Sequence, residues 1–170
     1  MNPKVSIIMG STSDLKIMED AMSFLDAMEI PFEVNAFSAH RTPELVEKFA
    51  STAYDRGVRV IIAAAGGAAH LPGVVAAFTP IPVIGVPINS SNSISGIDSL
   101  LSIVQMPSGI PVATVAIDGA RNAAILAMQI LAAGDDLLHT KLLAFKNDLK
   151  EKVAKANNQL AELNYKFIVK

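Results

Sequence analysis

The sequence predicts an α/β protein: a three-layer, doubly wound parallel sheet with a long C-terminal helix. Three observations carry that expectation. Short runs that are apolar throughout and rich in β-branched residues alternate with segments of helical periodicity, the pattern of parallel strands covered on both faces. Between Val60 and Ile117 the only formally charged side chain is Asp98, although the 170-residue chain carries 14 Lys+Arg and 16 Asp+Glu. A stretch that apolar is buried on nearly every side. Finally, Leu138, Leu142, Phe145, Leu149, Val153, Ala156, Leu160 and Leu163 recur every three or four residues, a single stripe on one long helix.

Each element has its own signal. Val5 to Met9 is a short apolar run ended by Gly10 and reads as a buried strand. From Asp14 onward Leu15, Met18, Met22 and Leu25 repeat at helical spacing, and Pro31 follows the end of the pattern. Phe32 to Phe37 is the second strand. Thr42 is placed as an N-cap with Pro43 at the first helical position, and Leu45, Phe49 and Ala50 form that helix's inner face. Val58 to Ala65 is the third strand, followed by Gly66-Gly67 and a short helix after Pro72. Pro82 to Val86 is the fourth strand, Ser95 to Gln105 a helix, Val112 to Ile117 the fifth strand, and Ala120 to Ala132 a helix. Residues 135 to 163 form the final helix, ~43 Å long at about 1.5 Å per residue, and are expected to reach a neighbouring subunit. Residues 1–134 would then be the sheet region, and 135–170 a helix of the same domain that packs on the oligomer.

Five such units fit a flavodoxin-like sheet of order 2-1-3-4-5, which binds its ligands beyond the carboxyl ends of the strands, at the switch point between the first and third. Composition narrows the function further. The uncharged stretch is broken by Pro72, Pro80, Pro82 and Pro87 and by the polar run 89–93, so it holds no run of roughly 20 apolar residues that could span a membrane. The absence of cysteine excludes disulfides, thiolate metal sites and thiol nucleophiles. A net charge of −2 gives no electrostatic reason to expect nucleic acid or anionic membrane as a partner. No His/Asp/Glu cluster has metal-ligand spacing, and a cytoplasmic globular protein is expected.

Three loops follow strands at the expected ligand edge. Gly10-Ser11-Thr12-Ser13-Asp14 is a hydroxyl-rich strand-to-helix turn; it fits an anion held by helix amides equally with ordinary capping. His40-Arg41 precedes a second helix at the same edge. Arg offers paired N–H donors to a phosphate, and His titrates nearest neutral pH. Gly66-Gly67-Ala68-Ala69-His70 permits close approach of backbone to a ligand, or simply tight packing of strand on helix. The flanking residues Ser38, Ser13 and Asp14 add polar groups. Asp98 reads as a capping carboxylate in Ser95-x-x-Asp98, and His139 with the Lys-rich final helix as solvated surface. Flavin binding is disfavoured because the chain has no Trp, and its tyrosines, Tyr54 and Tyr165, fall in expected helices.

Taken in order, Gly-Ser-Thr-Ser-Asp (10–14), Ser-Ala-His-Arg-Thr-Pro (38–43), Gly-Gly-Ala-Ala-His-Leu-Pro-Gly (66–73), Gly-Val-Pro (85–87) and Asp-Ser-Leu-Leu-Ser-Ile-Val-Gln-Met-Pro (98–107) resemble the class I N5-carboxyaminoimidazole ribonucleotide mutases of de novo purine synthesis. That family also goes by the name of phosphoribosylaminoimidazole carboxylase catalytic subunits. The resemblance runs from about Val5 to Leu131. It implies transfer of a carboxylate from the exocyclic nitrogen of an aminoimidazole ribonucleotide to ring carbon 4, with no cofactor or metal, in a homo-octamer. Ser11, Asp14 and Arg41 then bind the ribonucleotide with Ser13 and Ser38 nearby, and His40 is the general acid/base. The Gly66-Gly67-Ala68 backbone, with His70 beside it, would line the pocket that retains CO2. Asp118-Gly119-Ala120-Arg121 departs from the family pattern, being shorter and more charged. Two other functions remain open: a carboxylase that uses CO2 directly, and a non-catalytic nucleotide- or flavin-binding module on the same fold.

Overall fold

A computed structural model describes residues 2–169 of the chain. Its five strands are parallel and lie in the order β2-β1-β3-β4-β5: β1 Val5–Met9, β2 Phe32–Ala36, β3 Val60–Gly66, β4 Val83–Ile88 and β5 Ala113–Thr114. The helices are α1 Leu15–Ala27, α2 Pro43–Ser51, α3 Leu71–Ala77, α4 Ile97–Val104, α5 Ala120–Ala132 and α6 Asp136–Ala161. Every β–α–β crossover thus joins parallel strands. Because β1 pairs with both β2 and β3, the chain reverses direction across the sheet there and opens the crevice that the topology predicts.

Apolar residues in register hold the sheet together. Ile7, Ile62 and Ile84 stand opposite one another on three neighbouring strands, each with no exposed surface. On the alternate face Ile8, Ile61 and Ala63 join Val46 and Phe49 of α2, Val75 of α3 and Ile103 of α4 in one buried cluster. The buried residues of α1 and α5 lie outside that cluster, and Arg121 sits over the ring of Phe24, which links those two helices. One polar side chain enters the middle of the sheet. Ser6 on β1 is buried and donates to Glu33 Oε1, its register partner on β2, at 2.8 Å, and Glu33 is paired with Arg56 at 2.9 Å. Burial of that hydroxyl is therefore compensated.

The fifth strand is shorter than expected, two residues instead of the six from Val112 to Ile117. The reason lies in the register with β4. Val115 N–H donates to Gly85 O, and the next bond runs from Asp118 N–H to Pro87 O. Three residues on one chain thus face two on the other, where a parallel ladder needs two against two. The extra residue ends regular pairing, and Asp118 takes a positive φ of 56°. Smaller differences lie at element ends. β3 starts at Val60 rather than Val58, β4 runs on through Pro87 to Ile88, and α4 starts at Ile97 rather than Ser95. Neither tyrosine is helical: Tyr54 follows the end of α2, and Tyr165 follows the end of α6.

The chain divides into two compact units, one ending at Leu131 and the other beginning at Ala132. In the second, Asp135 caps α6 by accepting the N–H groups of Leu137 and Leu138. The helix has 26 residues, ~39 Å at about 1.5 Å per residue. Leu142 is buried, whereas Leu149, Val153 and Leu160 of the same stripe are exposed. Among the described residues no helix is long and apolar enough to cross a membrane.

Candidate active site

The loops that leave β1, β2 and β3 meet in one cleft of about 350 Å³, within the size range of small-molecule sites. Ser11, Ser13, Asp14, Ser38, His40, Arg41, Gly66, Ala68 and His70 all line it. Of the pocket residues expected from the sequence, Gly67 alone does not. It is buried, with φ +60°, and a Cβ there would stand 2.9 Å from Asn92 Nδ2. Gly67 turns the chain beneath the neighbouring loop, and Gly66 carries the wall.

The first loop is a single 3-10 turn, Thr12–Asp14. Ser11 caps it, its Oγ accepting Ser13 N–H at 3.3 Å. Asp14 lies at the N-cap position of α1 but makes no capping bond; its Oδ1 accepts from Ser13 Oγ at 3.0 Å. The carboxyl is buried, and burial pushes its pKa up, opposed by the Ser13 hydroxyl and reinforced by the negative charge of Asp118. Among the described residues no ion pair holds this carboxyl.

The second loop behaves in the same way. Thr42 is the N-cap of α2 by position, with Pro43 following it, yet its hydroxyl turns away from the helix. It accepts Ser38 N–H at 3.0 Å and donates to Ser38 O at 3.2 Å. Ser38 Oγ in turn accepts Arg41 N–H, and Arg41 Nη2 reaches Gly10 O at 3.4 Å, bridging the first and second loops. Thr42 thus leaves the start of α2 without a side-chain cap, whereas the helical segment that begins at Thr12 is capped by Ser11. Ordinary capping accounts for Ser11 but not for Asp14 or Thr42, and the free amides at the start of α2 favour an anion.

His40 faces His70 across the cleft. His40 Nε2 and His70 Nδ1 are 2.8 Å apart, with the rings edge to face at 83°. One of the two nitrogens must carry a proton and the other a lone pair. The residue types were visible in sequence; their contact, 30 residues apart, was not.

A fourth loop completes the wall with Ser90 and Asn92, from the polar segment after β4 that the strand pattern puts at the same carboxyl edge. Ser90 presses on Gly66 so closely that a Cβ at Gly66 would lie 2.2 Å from Ser90 Oγ. Asp98 does reach back from the first turn of α4, but to Ile94 N–H at 3.0 Å rather than to Ser95. Among the described residues no group of three or more His, Cys, Asp or Glu side chains is placed to hold a metal ion.

A doubly wound parallel sheet with an arginine and paired imidazoles in the cleft at its switch point defines a flavodoxin-like α/β protein. The family described as AIR carboxylase matches residues 4–152, and the chain belongs to it. It is 59% identical to the N5-carboxyaminoimidazole ribonucleotide mutase of Pyrococcus abyssi over 148 residues, 87% of this chain and 84% of that one. It is 53% identical over 165 residues to the phosphoribosylaminoimidazole carboxylase of Schizosaccharomyces pombe, covering 97% of this chain but 30% of that one. Among solved structures, PurE of Treponema denticola superposes with a TM-score of 0.80 at 31% identity, covering 93% of this chain and 98% of that chain.

Proposed function

We propose that this chain converts N5-carboxyaminoimidazole ribonucleotide to 4-carboxy-5-aminoimidazole ribonucleotide in purine synthesis. The observation that carries the reading is the convergence of Ser11, Asp14, Arg41 and His40 on one cleft, on a chain 59% identical to a relative that bears that mutase name. Arg41 and the uncapped amides at the start of α2 suit the phosphate, and the buried Asp14 carboxylate suits hydroxyl donors. His40 then stands beside the base.

The chemistry needs one group that both gives and takes a proton. His40 as imidazolium protonates the exocyclic nitrogen as its bond to the carboxylate breaks, leaving an amine and CO2. Ring carbon 4 attacks the retained CO2, forming the new carbon–carbon bond. Neutral His40 then removes the proton from carbon 4, which restores the aromatic ring and the imidazolium. Protons balance, and no step calls for ATP or a redox cofactor. The Gly66 and Ala68 backbone, with Leu71 behind it, forms a wall against which CO2 is kept from water. His70, at 2.8 Å, orients the His40 ring.

We infer a cytoplasmic homo-octamer, with residues 1–134 carrying the chemistry and 135–170 serving assembly. Exposed apolar rows support burial by other subunits: Ile97, Leu101 and Val104 on α4, and Leu149, Val153 and Leu160 on α6.

The deciding experiment follows the ultraviolet change on adding N5-carboxyaminoimidazole ribonucleotide to the wild type and to His40→Asn. Conversion by the wild type is expected, with kcat lowered by ~10²–10⁴ in the variant. Wild-type rates in His40→Asn would remove His40 from the mechanism. Turnover of aminoimidazole ribonucleotide with CO2, but not of the carboxyamino compound, would overturn the mutase in favour of direct carboxylation.

A further inference from the structure

The segment from Asn89 to Gly96 supplies Ser90 and Asn92 to the cleft, yet it has little apolar anchorage: Asn89, Ser91, Asn92, Ile94 and Ser95 are exposed. Hydrogen bonds hold its shape. The single Ser93 hydroxyl proton is shared between Asn89 Oδ1 and Ser90 O, and its oxygen accepts Gly96 N–H. Two carboxylates fix the segment to the fold. Asp98 accepts Ile94 N–H from the helix that follows, a local contact. The other comes from a distance: Asp118, in the turn after β5, accepts Asn89 N–H at 2.9 Å.

Asp118 grips the end of β4 twice. Its own N–H donates to Pro87 O at 2.8 Å, so its backbone and side chain hold the residues on either side of Ile88. The geometry depends on its left-handed φ of 56°, a conformation that Asp, Asn and Gly tolerate better than other residues. On its far side the loop has no slack. Ser90 and Asn92 already lie against Gly66 and Gly67 closer than a Cβ would permit. A shift at Asn89 must therefore move the cleft wall.

We propose that Asp118 is a positioning residue: by accepting the Asn89 N–H it sets where Ser90 and Asn92 stand against the Gly66-Gly67 turn, and so shapes the wall that the ribonucleotide meets. Its effect on catalysis rests on the mutase reading above; its effect on the loop does not.

Two variants test it. Asp118→Gly keeps the left-handed backbone accessible and removes the acceptor. Asp118→Asn keeps an acceptor oxygen and the backbone tolerance but removes the charge. Amide hydrogen exchange of the ligand-free protein across 89–96 is expected to quicken by about fivefold in Asp118→Gly, the loss of one hydrogen bond, and to stay at the wild-type rate in Asp118→Asn. The KM for N5-carboxyaminoimidazole ribonucleotide rises by about fivefold in Asp118→Gly with kcat within about twofold, and Asp118→Asn restores it. Unchanged exchange in Asp118→Gly would overturn the clamp. Faster exchange with an unchanged KM would overturn its role in shaping the wall, and failure of Asn to rescue would overturn the hydrogen bond as its cause. A wild type that does not convert the ribonucleotide defeats the mutase reading alone, because the exchange comparison still decides the clamp.

Discussion

The middle of the sheet and its carboxyl edge lie a few residues apart in sequence and differ in almost every physical respect. Residues 60 to 65 of β3 and all of β4 are buried. Across the β3–β4 register every partner is apolar, and among the described residues no buried side-chain nitrogen or oxygen lacks a hydrogen-bond partner. The edge, reached where those strands end, holds exposed His40, Arg41 and His70, left-handed backbone at Gly67 and Asp118, and a buried carboxyl whose pKa is pushed up. The first region lowers the free energy of the fold. On the proposed reading, the second spends part of that stability on groups that satisfy a ligand better than they satisfy the protein. Substitutions should therefore separate: edge changes alter activity with little loss of stability, and core changes do the reverse.

The largest expected contrast is His40→Asn. Its ring is exposed and packs on His70 alone among the contacts given above, so the loss of kcat described earlier should come with an unchanged melting temperature. A matching fall in melting temperature would erase the distinction. Next is Ile62→Ala, in the centre of β3 with no exposed surface. Removing three methylene-sized groups there should cost ~2–5 kcal/mol in denaturant unfolding, while the KM of the folded enzyme stays at the wild-type value. A changed KM would mean that the core also tunes the site. Arg41→Ala follows: losing a charge-assisted contact to a phosphate should raise the ribonucleotide KM by ~10–100-fold and leave unfolding unaltered. Unchanged KM would remove Arg41 from the phosphate site.

The same contrast explains what could be read from the sequence. The inner strands announced themselves because burial on both faces demands unbroken apolar runs, and the order of the sheet followed from their alternation with helices. The cleft loops were visible because each follows its strand directly, and three of them together carry hydroxyls, an arginine, histidines and paired glycines at one edge of the sheet. What stayed hidden depends on contacts far apart in the chain. Nothing local to Val112–Ile117 shows that one extra residue against β4 ends the pairing at Thr114. The meeting of His40 with His70 and the grip of Asp118 on Asn89 span about thirty residues. Thr42 was correctly placed at the start of α2, but its hydroxyl serves Ser38, because the loop competes with the helix for it.

The smallest effect is the sharpest test of an edge that trades stability for binding. Asp14 has a carboxyl pKa raised first by burial and further by the charge of Asp118. A raised folded-state pKa means that the native protein holds this proton more tightly than the unfolded chain does. Its contribution is fully present below the ordinary carboxylate range and is lost as pH rises through the folded-state value. At neutral pH the ionised Asp14 is thus a burden that Asp14→Asn relieves. The variant should melt higher than the wild type near pH 7, and the gap should close as the pH is lowered below the ordinary carboxylate range, where both side chains are neutral. Calorimetric melts across that pH series measure the gap directly. The gain should be accompanied by weaker ribonucleotide binding, because the amide returns a donor where the ribonucleotide hydroxyls need an acceptor. A variant that melts lower at neutral pH would show that the Ser13 hydroxyl already compensates the charge, and that this part of the edge costs the fold nothing.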